Sequence, residues 1–435
     1  MRDWTLPKIL KIGLPVLIIV TTLILLFIFP GFLLDSYGVE PLANKRFSIW
    51  DDKDIIEKLK PADRLVETAF QKNFLMDFEN EQIKEKFQGV VSSIEVKRNN
   101  QIELSNIYYL EDQLQWGKYL ALAGEKKDFE KWLNMIEQLY LHEDAWVTKL
   151  NKQTDILEKT EITWAYDLEY AEILLTSYNR NPGKSLLKKI DTIMQRAWPF
   201  FSAKELAPNY SSKIERIFYP EPSSEAAPTA NPELIDPYVD AEYSRLADIN
   251  LYVLESFSLL DSKWEVIYSD WSKLIAGSVS EEQIFYPFGI WPDQKNYVAT
   301  SGVALEAFTL DTVKIVFQLN QDQQNSNTEG FLARQILQTN NLFKSYNMAS
   351  QQNMSEETDI CALALFAEHT VSEITDPLDY QTSEIITAIR LGLSTRQLKD
   401  DFSPLNYLFY SQLADKKLHF SASDQLFVLT SGVIK

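Results

Sequence analysis

From residue 51 onward the chain repeats one pattern, apolar residues three and four positions apart, in one stretch after another. The stretches are "DKDIIEKLKPADRLVETAFQKNFL", "QWGKYLALAG", "DFEKWLNMIEQLYL", "WAYDLEYAEILLTSYNR", "SLLKKIDTIMQRAWPFF", "DINLYVLESFSLL" and "KWEVIYSDWSKLIAGSV", followed by "GVALEAFTLDTVKIVFQL", "EGFLARQILQTNNLF", "DICALALFAEHTV", "SEIITAIRLGL" and "NYLFYSQLADKKL". That spacing puts the apolar residues on one face of a helix and predicts about a dozen helices. Only "SSIEVKRNNQIEL" (92–104) alternates as a strand hairpin would. No sequence repeat accompanies the helices. Paired helices of this kind imply a closed toroid or solenoid whose working face is built from helix ends and loops. Two breaks stand out, a Pro-rich loop at 219–237 with aromatic flanks that would suit a cleft border, and a polar connector at 320–330.

A different signal precedes the helices. Between Lys11 and Asp35 lie 23 residues without a charge, "IGLPVLIIVTTLILLFIFPGFLL". As a helix they would extend about 35 Å, enough for a hydrocarbon core of roughly 30 Å. Arg2, Lys8 and Lys11 precede the stretch and Asp35 and Glu40 follow it, which keeps the N-terminus cytoplasmic. A cleaved signal would have a shorter apolar core and a small-x-small cleavage site, so a retained anchor is the reading preferred here. The expected organisation is a cytoplasmic tail (1–11), a transmembrane anchor (12–34), a linker (35–50) and an extracellular helical domain (51–435).

The charge excludes some partners. With 62 acidic against 42 basic residues, the net charge is −20. Nucleic acid, a polyanion, would be repelled, whereas a neutral or cationic ligand would not. The single cysteine, Cys361, rules out an internal disulfide, and three scattered histidines give no zinc-binding pattern. Neither a metal nor another cofactor is expected.

Three stretches carry chemistry. "LEDQLQWGKYLALAGEKKDFEKWLNMI" resembles the acid-bearing helix of glycoside hydrolase family 8, a Glu-x-Gln near a helix start followed by small and apolar residues and a charged connector. Glu111 falls on the general-acid glutamate, Gln113 on the glutamine, and Asp128, Phe129 and Trp132 on the next helix. Leu110, Asp112 and Leu114 stand where the family has small residues. "TWAYDLEYAEILLTSY" (163–178) is similar to the family's D-x-D-x-D-I-A-x-A-L-L helix: Asp167 and Ala171 keep their places, Glu169 replaces one acid and Ala165 another. "GIWPDQKNYVATSGVALEAFTLDTVKIVFQL" (289–319) resembles "G-L-x-P-D…Y-D-A-x-R-V-P". There Gly289, Pro292 and Asp293 keep the loop, Asp311 falls on the general-base aspartate, and Lys314 replaces an arginine. Between them, "DAEYSRLADINLYVLESFSLLDSKWEVIYSDWSKLI" looks like the family's Tyr-containing segment. The resemblance spans roughly residues 50–370.

It implies an all-α (α/α)6 toroid of six helical hairpins, here preceded by the transmembrane helix, and an inverting glycosidase. Similar family members accompany exopolysaccharide synthesis, so a synthase complex is an implied partner and a cell-surface or biofilm polysaccharide the implied substrate. Inversion needs an acid and a base about 6.5–9.5 Å apart, with a water between. Leu110, Leu114 and Trp116 beside Glu111 would disfavour its charged form, while a helix start at Asp311 would favour the ionised form. Sugar C–H faces stack on aromatic rings, which makes Trp116, Trp164, Tyr243 and Trp291 candidate platforms, with Gln113, Asp167, Glu169, Asp293 and Lys314 as polar contacts. Each acid has a plainer reading too: Glu111 as a charge answering the helix dipole, Asp311 as an N-cap, Asp167 and Glu169 as surface acids.

The excess of acids favours an amino-sugar polymer or neutral β-glucan over a polyuronate. Two alternatives remain: a degenerate, glycan-binding scaffold subunit, suggested by the altered residues around Glu111 and by Lys314, and another toroid enzyme such as a lyase. The scarcity of histidine and the net charge weigh against the lyase.

Overall fold

In a computed structural model, the chain is described at residues 38–44 and 53–432, apart from 81–83, 98–100, 143–144, 152–155, 161–163, 216–237, 281–282, 295–296, 299–305, 320–323, 373–379 and 413–416. The anchor expected at 12–34 and the loop at 219–237 lie outside the described residues. No described helix is long and apolar enough to cross a membrane.

The twelve α-helices among the described residues are of two kinds. α2 (Leu110–Leu122), α4 (Trp164–Arg180), α6 (Leu251–Leu260), α8 (Thr309–Gln318), α10 (Ile360–Ser372) and α12 (Ala422–Ser431) are buried on most of their circumference. α1 (Lys53–Phe74), α3 (Lys126–Met135), α5 (Lys184–Phe201), α7 (Trp264–Ala276), α9 (Ser326–Thr339) and α11 (Tyr380–Thr395) complete the set. Among these, α3 and α5 bury an apolar stripe, such as Ile190, Ile193, Met194 and Ala197, and turn lysines outward. A helix apolar all round belongs inside a shell, and a striped one belongs on it.

The packing follows that division. α2 lies against α4, α4 against α6, α8 against α10, α10 against α12, and α12 returns to α2, so the inner helices close a ring. α6 and α8 are joined through the 3-10 turn Leu246–Asp248. Outer helices pair with inner ones as α2–α3, α4–α5, α6–α7 and α10–α11, and α1 packs on α12. This is the six-hairpin toroid. Gly117 permits one of its tightest approaches: a Cβ there would meet the Trp132 ring at 2.0 Å, and Trp132 Nε1 donates to the Gln113 carbonyl at 2.8 Å.

The all-α expectation needs amending, since small antiparallel sheets decorate one end of the ring. The hairpin read at 92–104 is present, Ser93–Val96 pairing with Ile102–Leu104. Several strands run directly into inner helices: Ile107–Tyr109 into α2, Glu306–Phe308 into α8 and Leu418–Ser421 into α12. Tyr238–Arg245 leads through the 3-10 turn towards α6. A strand pinned in a ladder thus fixes the first turn of the helix that follows. "NYLFYSQLADKKL" (406–418), expected to be helical, forms turns and strand residues where it is described, and the last helix is α12 instead. The connector read at 320–330 is helical from Ser326.

The described part of the expected linker is bonded to the other end of the ring. Tyr178 OH donates to the Glu40 carbonyl (2.9 Å), Leu42 N to Asn179 Oδ1 (2.9 Å), and Asn44 Nδ2 to Glu255 Oε2 (2.9 Å) and Ser256 Oγ (3.0 Å). Tyr178 and Asn179 belong to the last turn of α4.

Candidate active site

The inner helices all begin at the mouth of the ring, and acids gather in their first turns: Glu111 and Asp112 on α2, Asp167 on α4, Asp311 on α8 and Asp424 on α12. Unpaired N–H groups and the helix dipole make such positions favourable for anions. Asp359 immediately precedes α10, and its Oδ1 accepts from Ala362 N at 2.9 Å.

Glu111 is exposed in the mouth, while Leu110, Leu114 and Trp116 face the core, so these three do not form the apolar surround expected of them. Tyr166 OH donates to Glu111 Oε1 at 3.3 Å. Burial, then the carboxylates of Glu111, Glu169 and Asp248, raise the Tyr166 phenol, which keeps it a hydrogen-bond donor. Glu169, half-buried two residues before Ala171, accepts from Gln115 Nε2 at 3.1 Å. Burial pushes its carboxyl up to about 7 against the pull of Lys314, and Glu111, Glu172 and Asp248 push the same way as burial.

Asp311 sits in the first turn of α8, buried, with Arg245 clamping it through Nε and Nη2. Burial alone would lower the Arg245 guanidinium; Asp248, Asp311 and Glu111 together raise it. One guanidinium thus lies within the field of the two acids singled out from sequence and of Asp248, which itself accepts from Asn209 Nδ2 at 2.7 Å. Lys314, one turn after Asp311, acts on both Glu169 and Cys361 across the ring. Glu111, Glu169, Asp248, Asp311, Arg245, Tyr166 and Lys314 therefore form one cluster at the mouth. It holds a hydrogen-bonded exposed carboxyl, a second carboxyl proton-bearing near neutrality, and a carboxylate held by a guanidinium fork.

Most of the other residues expected at the site belong to the interior. Asp167 is fully buried, ion-paired to Arg196 of α5 and accepting from Trp146 Nε1 at 2.8 Å, so it joins inner to outer layer. Gln113 brackets Val90, its Oε1 accepting from the Val90 amide and its Nε2 donating to the Val90 carbonyl, both at 2.8 Å. Trp116 packs on Phe70 and Tyr119, and Trp164 on Phe201, its Nε1 bonded to the Ala207 carbonyl. Tyr243 is buried against Phe288 and Trp291. Trp291 is half-buried and Asp293 exposed, on the loop after strand Gly289–Ile290.

Arg245, Tyr166, Asp248 and Gln115 were not singled out from sequence. "DAEYSRLADIN" did hold a signal, a strand ending on arginine before an Asp-terminated turn. A second group was missed as well. Asp112, accepting from Ser423 Oγ at 2.9 Å, is raised to about 8 by burial. Burial likewise raises Asp359 to about 7 and Asp424 to about 6. Among the described residues no group of His, Cys, Asp and Glu is placed to hold a metal ion.

No protein-family model and no curated sequence matches the chain. Solved structures do. An alpha-amylase from Clostridium perfringens superposes with a TM-score of 0.60 at 14% identity, over 86% of this chain and 97% of that one. A beta-1,3-1,4-glucanase from Paenibacillus sp. X4 gives 0.52 at 10% identity, over 91% and 94%. A cold-adapted family 8 xylanase gives 0.52 at 10%, over 90% and 95%. The architecture found by following the helices is thus that of whole glycosidases, and the chain has the fold of glycoside hydrolase family 8.

Proposed function

We propose that the chain is a membrane-anchored, extracellular glycoside hydrolase that cuts a cell-surface or biofilm polysaccharide with inversion. Glu111 is the general acid and Asp311 the general base. The observation that carries this reading is the exposed Glu111, held by Tyr166 and joined to Asp311 through the field of Arg245 at one mouth of the ring. Glu111 would protonate the departing glycosidic oxygen while Asp311 takes a proton from the attacking water. Arg245 fixes the direction of the Asp311 carboxylate, and Lys314 offsets part of the negative charge at Glu169. Trp291 and Asp293 at the rim would meet sugar rings outside the cleavage point. The solved relatives are named for an amylase, a glucanase and a xylanase, so the fold leaves the sugar open. The net charge of −20 and the acidic mouth favour an amino-sugar polymer or a neutral glucan over a polyuronate. The apolar run at 12–34 is the basis for the anchor, and an exopolysaccharide synthase complex at the membrane is the proposed partner.

The test compares the full chain with Glu111→Gln and Asp311→Asn on chitosan-like, cellulose-like and polyuronate polymers. Each variant is expected to lose about 10²–10⁴-fold in kcat/KM. Unchanged turnover in both, or best turnover on the polyuronate, would overturn the reading. One observation favours a second reading: Asp311 is only 6% exposed and already clamped by Arg245, as in a structural ion pair. A chain that retards these polymers in a gel without releasing reducing ends would be a glycan-binding scaffold.

A further inference from the structure

The ring has a cavity at the end away from the acids. It measures about 620 Å³ and opens between the α2–α3 and α4–α5 hairpins. That volume lies within the range of small-molecule and lipid sites. One wall is apolar, made by Leu120, Phe129, Leu133 and Leu186. The rim carries Lys126, Arg180 and Lys189, with Glu130 the one acid among the lining residues. Lys126 lies 3.8 Å from Glu130, and Lys189 is paired with Glu137, so the uncompensated positive charge of the rim rests on Arg180.

Arg180 is the telling member. It is exposed, and its Nη1 donates to the carbonyls of Ala121 and Gly124 at the C-terminal end of α2, both at 3.3 Å. Among the described residues no carboxylate pairs with it. Its neighbours Tyr178 and Asn179 hold residues 40–42. The apolar run ends at Leu34, six residues before Glu40, and an extended chain of six residues spans at most roughly 20 Å. On the anchor reading, residue 40 therefore stands within roughly 20 Å of the bilayer surface, at the same end of the ring as the cavity, while the acids gather at the other end.

We propose that this cavity binds an anionic phospholipid of the anchoring membrane, its phosphate on Arg180 and Lys126 and the start of an acyl chain against Leu120, Phe129, Leu133 and Leu186. The site would hold the ring base-down, with the catalytic mouth turned to the exterior. The inference rests on the anchor reading for its source of ligand, not for the shape of the site. Lipid binding follows from two features found together, cations and an apolar wall. A soluble phosphate would use only the first.

The experiment places the full chain in nanodiscs of phosphatidylcholine with and without phosphatidylglycerol, and counts lipid retained after detergent extraction by native mass spectrometry. Lysophosphatidylglycerol and glycerol phosphate are titrated separately onto detergent-solubilised chain. The expected result is selective retention of phosphatidylglycerol, binding of the lysolipid, and no response to glycerol phosphate. Lys126→Ala should weaken lysolipid binding by roughly fivefold. Arg180→Glu should abolish it, and Leu133→Trp, which fills the apolar wall without touching a cation, should weaken it too while polysaccharide turnover stays unchanged. Equal retention of both lipids by wild type and variants would overturn the proposal, as would glycerol phosphate binding as well as the lysolipid. Failure of the anchor reading looks different: the chain stays out of nanodiscs altogether, and the lysolipid titration still decides the site.

Discussion

The mouth of the ring has two halves that hold the same kind of residue with different partners. On the side of α2, α4 and α8, the carboxyls of Glu111, Glu169 and Asp311 meet Arg245, Lys314 and a tyrosine hydroxyl. On the side of α10, α12 and the inner face of α2, Asp112 and Asp359 are buried and Asp424 is half-buried; a serine, a backbone amide and a cysteine are their hydrogen-bond partners, and Lys344 pulls on Asp359 and Asp424. Helix N-termini favour anions by about 0.3–1 kcal/mol in both halves. Burying an unpaired charge costs several kcal/mol, so in the second half burial wins and the acids keep their protons towards neutral pH. A helix start therefore recruits an acid, but burial and nearby cations together set its proton: Glu169 beside Lys314 and Asp359 near Lys344 are both raised to about 7.

Asp167 gives the sharpest way to break this comparison, because it lies on an inner helix start yet takes no part in the cluster. Asp167→Asn would leave the mostly buried Arg196, which lies over the Trp146 ring, without its counter-charge. Removing one partner of a buried pair costs about 3–5 kcal/mol. Chemical denaturation should register that loss, while kcat/KM per folded molecule stays close to wild type. Loss of turnover with unchanged stability would put Asp167 back among the substrate contacts.

The same pair of acids shows what could be read from sequence. Asp167 and Glu169 are two residues apart on one helix, about 200° around its axis, so they face opposite ways. A D-x-D-like pattern names both, but only one can point into the mouth, and the partner that claims Asp167, Arg196, lies on the next helix. The helix-start positions of Glu111 and Asp311 were legible because each lies in a recognisable stretch. Arg245 was not, since it meets Asp311 across 66 positions through a strand ending. At the level of fold, periodicity located most of the helices. It misled at 406–418, where apolar spacing suggested a helix but Leu418 to Ser421 pair with Ser93 to Val96. It also passed over α12, whose Ala422, Leu426, Val428, Leu429 and Thr430 are buried around most of the helix and leave no polar stripe to detect.

The protonated half should make the protein less stable as pH rises. Asp112, Asp359 and Asp424 hold their protons to about 8, 7 and 6, whereas in an unfolded chain each would lose its proton near 4. Between those limits the folded state binds more protons, so stability is full below about pH 4, declines as pH climbs from there through 6, and levels off above about 8. Thermal unfolding should therefore give a higher Tm at pH 5 than at pH 8.5, with about 2–4 °C for each kcal/mol involved. Asp112→Asn keeps an oxygen for Ser423 and removes the largest of the three shifts. It should flatten that slope. An equally steep decline in the variant would assign the effect to other groups.

The smallest effect tests whether the cations make the difference between the halves. Lys314 opposes the burial of Glu169, so Lys314→Met would make the surroundings of Glu169 more like those of Asp112. With the positive charge gone, the charged form of Glu169 loses a cation that favours it, and its midpoint should move up from about 7. Carbon-13 titration of glutamate-labelled protein would follow this directly, with Glu169→Gln identifying the resonance. At pH 7 the variant would carry the proton on Glu169 in a larger share of molecules, and Glu111 would face a more neutral neighbour. A midpoint that stays where it was would mean that Lys314 does not balance the open half, leaving Arg245 as the cation that separates it from the buried one.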